Sequence, residues 1–567
     1  MDTKRQISGA WNFVRALHRR SVEHVFSNAG TDHAPIIEAL AAMRASGEPA
    51  PEFHVVPHEN LAISMAQGYY GVSGKPAVVL VHVTVGTANA ICGLMNARRN
   101  YVPVILIAGH TPATQEGYVG SRNVPIHWGQ DSFDQGGLVR EFTKWDYELR
   151  AGQNVDALVD RAISIATTEP RGPVYLALPR ELLAAADANE PGSVSPTAAP
   201  PRPDPAAIER LANALARAAR PVIVTSTLGA NAAARKSLEV IAERWAIGVV
   251  QSWPACVNIA SSHPMNLRMH GAQWLADADL IVTVDSAVPW VPVHIKPRRD
   301  ARVFSLAADP NYSMYPYREF PASELVTGAG FAALPMLAEA LAGERYDAAA
   351  VAARREAIGT IQAQAADRRA ARIEAARRNS PIDAAWIARC LNAVRPPDSV
   401  IVNELCLPFD HLELEDGDQF FGETTAGGLG AGLGIGLGAK LADPSRAVIS
   451  AVGDGSYMFG NPTPALLVAR ALNIPTLTLI ANNNLWYAVR QSTLASYPDG
   501  AAAGAEPMPL TSFGPSPSYS GMAEAAGAWA AKVSDPAELE GLMRSAFEQT
   551  AAGRSAVLEI VTAPGTR

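Results

Sequence analysis

Two polar clusters in the last third of the chain combine residue types that bind metal ions and phosphates. Gly453-Asp454-Gly455-Ser456 follows an apolar, strand-like run at 447–452, and Asn482-Asn483-Asn484 follows a second run at 476–480. Each cluster alone would be typical of a turn. Together they offer carboxylate and amide oxygens, which Mg2+ prefers as ligands, and glycines that let the backbone approach a phosphate. The pair therefore predicts a metal-bridged diphosphate at the carboxyl ends of two parallel strands.

A glutamate and several histidines in the first third of the chain could move protons. Glu59 begins a predicted helix after a short strand, where the helix dipole alone would also favour a glutamate. His82 follows the strand-like run 78–81, and an imidazole with a pKa of about 6.5 exchanges protons near neutrality. A histidine at a strand end can equally be a hydrogen-bonded structural group. His110 and His127 lie in polar loops after strands, and their roles stay open.

The helices and strands that position these residues are predicted to form an α/β fold. Short β-branched runs alternate with helical periodicity, which predicts three parallel-sheet, Rossmann-like domains. A helix after Gly455 is predicted to have Thr463 as its cap and Pro464 at its first position. The predicted blocks are a first domain at 1–185, an Ala- and Pro-rich linker at 186–206, a middle α/β domain at 207–345, a helical connector at 346–380 and a third domain at 381–567.

Composition excludes several classes of function. The 567 residues carry 47 Lys and Arg against 55 Asp and Glu, a net charge of −8, and no basic stripe for nucleic acid. The four cysteines form no C-x-x-C pair, which argues against disulfides and structural zinc and favours the cytoplasm. No apolar run approaches the roughly 18 residues of a membrane span. The expected partner is a small molecule.

The spacing from Gly455 to Asn482, together with Glu59, resembles the fingerprint of the thiamine diphosphate enzyme superfamily. The resemblance covers the chain in the order pyrimidine-binding, middle and diphosphate-binding domain. It implies that Asp454, Asn483 and the backbone carbonyl of Leu485 bind Mg2+. It also implies that Glu59 hydrogen-bonds the aminopyrimidine ring, which then removes the thiazolium proton. The remaining cofactor contacts that it implies are Cys406, Gly428, Leu429, Gly453, Gly455, Ser456 and Trp486, with Leu429 holding the cofactor bent.

Within the superfamily, the first block is similar to the benzoylformate decarboxylase and acetolactate synthase groups. The similarity lies in the stretch 80–90, where His82 matches an active-site histidine. Thr31 occupies the place of a serine that holds the substrate carboxylate, and His110 is a further candidate for the catalytic pocket. The flavin-contacting run of the acetolactate synthases is missing, so FAD is not expected.

The resemblance implies cleavage or formation of a C–C bond next to a carbonyl, above all decarboxylation of a 2-oxo acid with possible carboligation to an aldehyde. Acetolactate synthase-type carboligation, lyase chemistry on a 2-hydroxyacyl-CoA and a catalytically silent diphosphate-binding scaffold are the alternatives. A homodimer or homotetramer is expected, because Glu59 of one subunit meets a cofactor held by Asp454 of another in this superfamily.

Overall fold

A computed structural model describes residues 7–268 and 271–563, and its first sheet lies in the amino-terminal third of the chain. The sheet has the order β2-β1-β3-β4-β6-β5, and its strands pair in parallel. The strands are β1 His24–Asn28, β2 Glu52–Val55, β3 Val78–Val81, β4 Ile105–His110, β5 Asp146–Glu148 and β6 Val174–Pro179. The flanking helices are α1 Gly9–Arg19, α2 Ala34–Ser46, α3 Glu59–Ser73, α4 Val83–Asn89, α5 Ile91–Arg99, α6 Ile126–Gly129, α7 Val155–Thr167 and α8 Arg180–Ala184.

The second sheet is also parallel, with the order β12-β11-β10-β7-β8-β9. Its strands are β7 Pro221–Thr225, β8 Gly248–Gln251, β9 Asn266–Arg268, β10 Leu280–Val284, β11 Arg302–Ala307 and β12 Glu324–Thr327. The accompanying helices are α9 Pro205–Arg217, α10 Ala232–Trp245, α11 Ala272–Ala276, α12 Gly330–Ala342 and α13 Ala348–Ala376. Helix α13 occupies the predicted connector, and α9 begins inside the predicted linker.

The third sheet repeats the strand order of the first, as β14-β13-β15-β16-β18-β17, again with parallel pairing. Its strands are β13 Val400–Glu404, β14 Phe420–Phe421, β15 Val448–Gly453, β16 Leu477–Asn482, β17 Trp529–Val533 and β18 Ala556–Val561. The helices in this stretch of the chain are α14 Ala384–Val394, α15 Gly432–Ala442, α16 Asp454–Phe459, α17 Pro462–Ala471, α18 Tyr487–Ser496, α19 Tyr519–Ala525 and α20 Pro536–Ala551.

The three sheets confirm the predicted α/β class. Their central strands are Val- and Ile-rich and buried on both faces, as β3 and β10 show, which is typical of parallel sheets covered by helices. In the first and third sheets, the strand order reverses beside β3 and β15, where such sheets bind ligands. His82 and Asp454 each follow one of these two strands directly.

One local prediction was wrong. The helix after Gly455 was expected to be capped by Thr463, but a short helix, α16, already begins at Asp454, and α17 begins at Pro462. Asn461 precedes α17 in a left-handed conformation, with φ 47°, and its side chain makes no cap hydrogen bond. The chain therefore turns at Asn461, and Pro462 takes the first helical position that had been assigned to Pro464.

The chain packs as two compact units. The first comprises Met1–Ala199, Thr424–Ser445 and Ser456–Thr476, and the second comprises Pro200–Glu423, Arg446–Gly455 and Leu477–Arg567. These units do not test the predicted domain boundaries, which stay a prediction. No helix within the described ranges is both long enough and apolar enough to cross a lipid bilayer.

In the first unit, α15 lies directly against α3, the helix that begins with Glu59. The two backbones approach so closely that a Cβ on Gly68 would lie 1.9 Å from the carbonyl oxygen of Ile435. A Cβ on Gly438 would lie 1.9 Å from that of Met65. Glycine at these positions lets the helices pack at backbone contact and holds α3 firmly in place.

Candidate active site

Glu59 is the centre of a group of polar side chains in the first unit, which we call the glutamate cluster (Asn28, Asp32, Glu59, His82 and Asn89). Glu59 is the first residue of α3, and its side chain is buried. Its Oε1 accepts a hydrogen bond from Asn28 Nδ2 at 2.9 Å, and its Oε2 accepts one from Asn89 Nδ2 at 2.5 Å. The two amides fix the direction of the carboxyl group, and each oxygen keeps a further lone pair for a ligand.

Sequence reasoning missed Asn28 and Asn89 as functional residues. Asn28 is the last residue of β1, and Asn89 is the last residue of α4. Asn89 lies in the stretch 80–90 that is similar to the superfamily, and Asn28 lies three residues before Thr31. An asparagine at the end of a central strand is a usable signal, because strand ends are where such sheets place ligand-binding groups.

His82 forms a hydrogen-bonded pair with a buried carboxylate. Its Nδ1 contacts Oδ1 of Asp32, whose side chain is 3% exposed, and its ring is partly open to solvent. The hydrogen bond with Asp32 raises the pKa of His82 above its ordinary 6.5, against the opposing effect of burial. Burial acts to raise the pKa of Asp32, but the bond with His82 and the neighbouring imidazole of His33 lower it below its ordinary value. The pair therefore favours a protonated imidazole beside an ionised carboxylate.

Two glycines make room for this pair. A Cβ on Gly30 would lie 2.0 Å from His82 Nδ1, and a Cβ on Gly109 would lie 1.5 Å from Asp32 Oδ2. Real Cβ contacts are never that short, so a larger residue at either position would displace the imidazole or the carboxylate. The contact between Asp32 and His82 thus depends on one glycine in the loop after β1 and on another near the end of β4.

The other ring nitrogen of His82, Nε2, lies beside the side-chain amide of Gln130, which can hydrogen-bond either the neutral or the protonated imidazole. Gln130 Nε2 lies 3.1 Å from His82 Nε2, so the amide donates to a neutral imidazole. Gln130 Oε1 is buried and has no hydrogen-bond partner among the described residues. A rotation of the amide by half a turn presents this oxygen to the N–H of a protonated ring. Gln130 can therefore stay hydrogen-bonded to His82 both before and after the imidazole gains or loses a proton.

The remaining sequence-predicted residues of the first unit differ in their contacts, and the charges of His82 and Asp32 both act on the pKa of His127. Thr31 is exposed, and its neighbour Asp32, not Thr31, contacts His82. His110 ends β4 and uses Nδ1 to hydrogen-bond the carbonyl oxygen of Thr111 at 2.9 Å. His127 is buried in α6 and accepts from the backbone N–H of Asn123 at 3.2 Å.

In the second unit, Asp454 heads α16 and lies at the centre of the aspartate cluster (Asp454, Asn482, Asn483, Asn484 and Leu485). Its carboxylate is buried, and Oδ1 accepts from the N–H of Gly455 at 2.9 Å while Oδ2 accepts from the N–H of Asn484 at 2.6 Å. Burial raises the pKa of Asp454 to about 6, although backbone N–H groups act to lower it. A buried carboxylate held by backbone dipoles is stabilised further by a divalent cation.

The three consecutive asparagines at the end of β16 make different contacts. Asn482 is structural: its Nδ2 donates to Glu559 Oε1 at 2.9 Å, and Glu559 is a fully buried carboxylate paired with Lys532. Asn483 is partly exposed, and its Oδ1 accepts from the N–H of Leu485 at 3.0 Å. Asn484 adopts a left-handed conformation, with φ 56°, that turns the chain toward Asp454.

The two glycines around Asp454 differ in their surroundings. A Cβ on Gly455 would lie 2.3 Å from the indole of Trp486, so Gly455 leaves space for a side chain of the protein. Trp486 also packs edge-on against Phe513, with ring centroids 4.7 Å apart. A Cβ on Gly453 would have no neighbouring atom within 4 Å among the described residues. The open space for a ligand thus lies beside Gly453, whereas Trp486 takes the space beside Gly455.

The other predicted cofactor contacts lie in varied surroundings. Cys406 is buried in the apolar core of the third sheet, and Ser456 is buried in α16. Leu485 uses its carbonyl oxygen to accept from the N–H of Tyr487 at 2.9 Å, which leaves a second lone pair for a metal. In the first unit, Gly428 exchanges two hydrogen bonds with the side chain of Asn96, at 2.8 and 3.1 Å, and Leu429 follows it half-buried.

These surroundings fit magnesium and a diphosphate. The donor set offers a carboxylate, an amide oxygen and a backbone carbonyl, which are hard oxygen ligands. The largest influences on the pKa of Asp454 are its burial and backbone N–H groups, so a bound divalent ion would relieve the cost of its burial. The open space beside Gly453 allows a phosphate to approach the backbone.

Comparison with known proteins bears on both clusters. The family model of the thiamine pyrophosphate enzyme N-terminal TPP binding domain matches residues 7–138, and that of the C-terminal TPP binding domain matches 406–560. Thiamine pyrophosphate is another name for thiamine diphosphate. The first match contains the glutamate cluster, and the second contains the aspartate cluster.

Individual relatives match over almost the whole chain. Benzoylformate decarboxylase of Pseudomonas aeruginosa is 26% identical, over 96% of this chain and 97% of its own. A probable acetolactate synthase of Mycobacterium bovis is 25% identical, over 89% of this chain and 88% of its own. The solved structure of a thiamine diphosphate-dependent 4-hydroxybenzoylformate decarboxylase from Rhodococcus jostii superposes with a TM-score of 0.75 at 22% identity, covering 99% of this chain and 100% of that one.

The relatives include both decarboxylating and carboligating enzymes, and the two family models follow one another in the order that the sequence resemblance implied. The predicted resemblance is thereby confirmed at the level of the family. The chain belongs to the thiamine pyrophosphate enzymes, in the group of decarboxylases and carboligases.

Proposed function

We propose that this enzyme decarboxylates a 2-oxo acid with thiamine diphosphate and Mg2+, and that it can pass the resulting acyl carbon to an aldehyde. The observation that carries the proposal is the pair of His82 and Asp32. An imidazole kept protonated by a buried carboxylate is suited to give a proton to the carbon left when carbon dioxide departs. Relatives that decarboxylate benzoylformate and 4-hydroxybenzoylformate make aromatic 2-oxo acids the first substrates to test.

The side chains of the glutamate cluster have separate tasks in this proposal. When bound, thiamine diphosphate supplies the carbon nucleophile and the electron sink. Glu59 would hold a proton for the aminopyrimidine ring of the cofactor, and Asn28 and Asn89 fix the direction of its carboxyl group. His82 exchanges its proton with the substrate, and Gln130 adjusts to its protonation state. Thr31 stays a candidate for holding the substrate carboxylate.

The magnesium site is proposed from the aspartate cluster. The side chains of Asp454 and Asn483 and the carbonyl oxygen of Leu485 would bind the ion, and the diphosphate would complete its shell. The support is the buried carboxylate of Asp454, whose pKa burial raises to about 6. Calorimetric titration should show thiamine diphosphate binding that requires a divalent ion and is lost in Asp454→Ala. Equal binding without any divalent ion would refute this arrangement.

A substrate panel tests the reaction. Pyruvate, longer 2-oxo acids, benzoylformate and 2-hydroxyacyl-CoA esters are supplied with and without an acceptor aldehyde, and carbon dioxide, aldehyde and ligation product are measured. We expect carbon dioxide from at least one 2-oxo acid, lost in His82→Gln and retained in His18→Gln, an exposed histidine. Turnover of acyl-CoA esters alone would establish the lyase alternative and overturn the proposal. No turnover of any compound, and no exchange of the cofactor's C2 proton, would indicate a silent scaffold.

A homodimer is the smallest active assembly that we propose, by analogy with the superfamily. An inactive Glu59→Gln chain mixed with an inactive Asp454→Ala chain should recover activity once subunits exchange, because one of the two mixed sites would carry both native residues. Exchange without recovery would contradict shared sites. A tetramer would appear as a second association step in sedimentation. The cytoplasmic location stays a prediction.

A further inference from the structure

Two histidines and a glutamate meet on one face of the first sheet, at the end away from Asn28. His24 and Glu52 are the first residues of β1 and β2 and are paired in register, and His54 is two residues further along β2. Because side chains alternate along a strand, all three lie on the same face. We call this group the histidine pair site. It plays no part in the chemistry proposed above.

The ligand atoms of this site are spaced for one metal ion. His24 Nδ1 lies 2.8 Å from His54 Nε2, and Glu52 Oε2 lies 3.8 Å from the first nitrogen and 3.7 Å from the second. In a tetrahedral zinc site with bonds of about 2.0 Å, neighbouring ligand atoms are about 3.3 Å apart. The three observed distances bracket that value. Shifts of about half an ångström would therefore bring all three atoms into a coordination shell.

The two imidazoles are uncharged near neutral pH, as histidine ligands of a metal must be. Burial lowers the pKa of His24 and of His54 below 6.5, so both rings are neutral near pH 7. Without a metal, one of the two facing nitrogens donates a hydrogen bond to the other, and binding of a metal would displace that proton. The nearby charged groups that act on His24 are Glu23, Glu52 and Lys75. Lys75 is already paired with Glu23, which also accepts a hydrogen bond from Tyr69 Oη. Glu52 is the acid that faces both rings.

Neighbouring aromatic rings pack against both imidazoles, and the site is open to solvent on the side of Glu52. The edge of the Tyr69 ring packs on His24, with centroids 5.0 Å apart, and Phe26 stacks on His54 with centroids 5.9 Å apart. Aromatic packing of this kind restricts the orientations of both imidazoles. Glu52 is 73% exposed on its side chain, so solvent and ions reach the ligand atoms from its side. The site is thus ordered by packing and open along one edge.

We propose that the histidine pair site binds one divalent transition-metal ion of the zinc class, through His24 Nδ1, His54 Nε2 and Glu52, with water at the fourth position. Two imidazoles and one carboxylate favour zinc, cobalt or nickel over magnesium, which prefers oxygen ligands. The ion would tie the edge strand β2 to β1 and so fix the strand that leads into Glu59.

The test uses the full-length holoenzyme with saturating Mg2+ and thiamine diphosphate, so that the aspartate cluster is already occupied. Equilibrium dialysis with Zn2+ measures stoichiometry and affinity, and Co2+ absorption reports tetrahedral coordination. We expect one ion per chain. Loss of an outer-shell partner typically costs roughly 10–100-fold in metal affinity. Loss of a direct ligand in His24→Gln or His54→Gln should therefore cost at least about 100-fold.

Matched controls and an exposed variant decide the outcome. His18→Gln and Glu48→Gln replace exposed residues outside the site and should bind zinc like the wild type. If the buried His54 tolerates no replacement, Glu52→Gln, at an exposed position, should still fold and should lose tetrahedral Co2+ absorption. No stoichiometric zinc in the wild-type protein would overturn the proposal. So would zinc that is retained in the ligand variants, or lost equally in the controls.

Discussion

Asp32→Asn should lower the pKa of His82 and slow decarboxylation, because it removes the charge that holds the imidazole protonated. Asparagine keeps the size of the buried side chain, so the space left by Gly30 and Gly109 stays filled. The substitution converts a hydrogen bond between charged groups into one between neutral groups. Charge-assisted bonds contribute about 1.5–3 kcal/mol and neutral ones about 0.5–1.5 kcal/mol. The midpoints of these ranges differ by about 1.3 kcal/mol, which corresponds to a loss of rate of nearly tenfold.

The sign of the pH effect follows from the directions of the two pKa shifts. Asp32 raises the pKa of His82 above 6.5, so the wild-type imidazole keeps its proton to a higher pH than the variant does. The limb of the rate profile that needs protonated His82 should therefore move to lower pH in Asp32→Asn. The pair's contribution to stability should be complete between the ordinary values of 3.8 for Asp32 and 6.5 for His82. It should decline above that window as His82 loses its proton, and below it as Asp32 is protonated.

Histidine-selective NMR follows the titration of His82 directly, with the signal assigned from its disappearance in His82→Gln. Kinetics on the best 2-oxo acid then give the rate effect. Loss of a general acid–base residue itself costs about 10²–10⁴-fold, so His82→Gln should be the slower single variant. Because Asp32 acts through His82, adding Asp32→Asn to His82→Gln should cost little more. An unchanged His82 titration in Asp32→Asn, or a further tenfold loss in the double variant, would refute this role for Asp32.

Three further predictions rest on other contacts. Gly109→Ala places a Cβ 1.5 Å from Asp32 Oδ2 and should lower the free energy of unfolding, measured by urea titration, by about 1–3 kcal/mol. The control is Gly541→Ala, in open space on a helix, which should raise the free energy of unfolding by roughly 0.5–1 kcal/mol. Asn89→Ala removes one of the two amides that hydrogen-bond Glu59. It should slow exchange of the cofactor's C2 proton by about 10- to 100-fold and change cofactor affinity less. Equal exchange rates in the variant and the wild type would place that amide outside the mechanism. EDTA treatment should release the cofactor and be reversed by added Mg2+; retention of the cofactor in EDTA would count against the metal bridge.

The sequence alone was sufficient for the α/β fold class, and it predicted polar residues at the ends of particular strands. Strands buried on both faces read as continuous apolar runs, and polar residues that follow such runs lie at strand ends by necessity. For this reason Asp454 and Asn483 could be placed near strand ends, whereas Glu59 and His82 were singled out by the resemblance to the superfamily. The cap at Thr463 failed because the choice among neighbouring turn residues is a local matter of small free-energy differences, and the left-handed turn at Asn461 was the one adopted.

Only the tertiary structure decided which side chains meet. Contact between Asp32 and His82 depends on loops that follow different strands and on two glycines, so the sequence did not predict Asp32 as the partner of His82. The register of β1 against β2 brings His24 to Glu52 and His54, residues that periodicity does not connect. Strand pairing joins residues far apart in the chain at distances fixed to within an ångström, and no local pattern encodes such distances. The sequence therefore determined which residues could act as acids, bases or ligands. Tertiary packing determined which neighbouring side chains contact them and shift their pKa values.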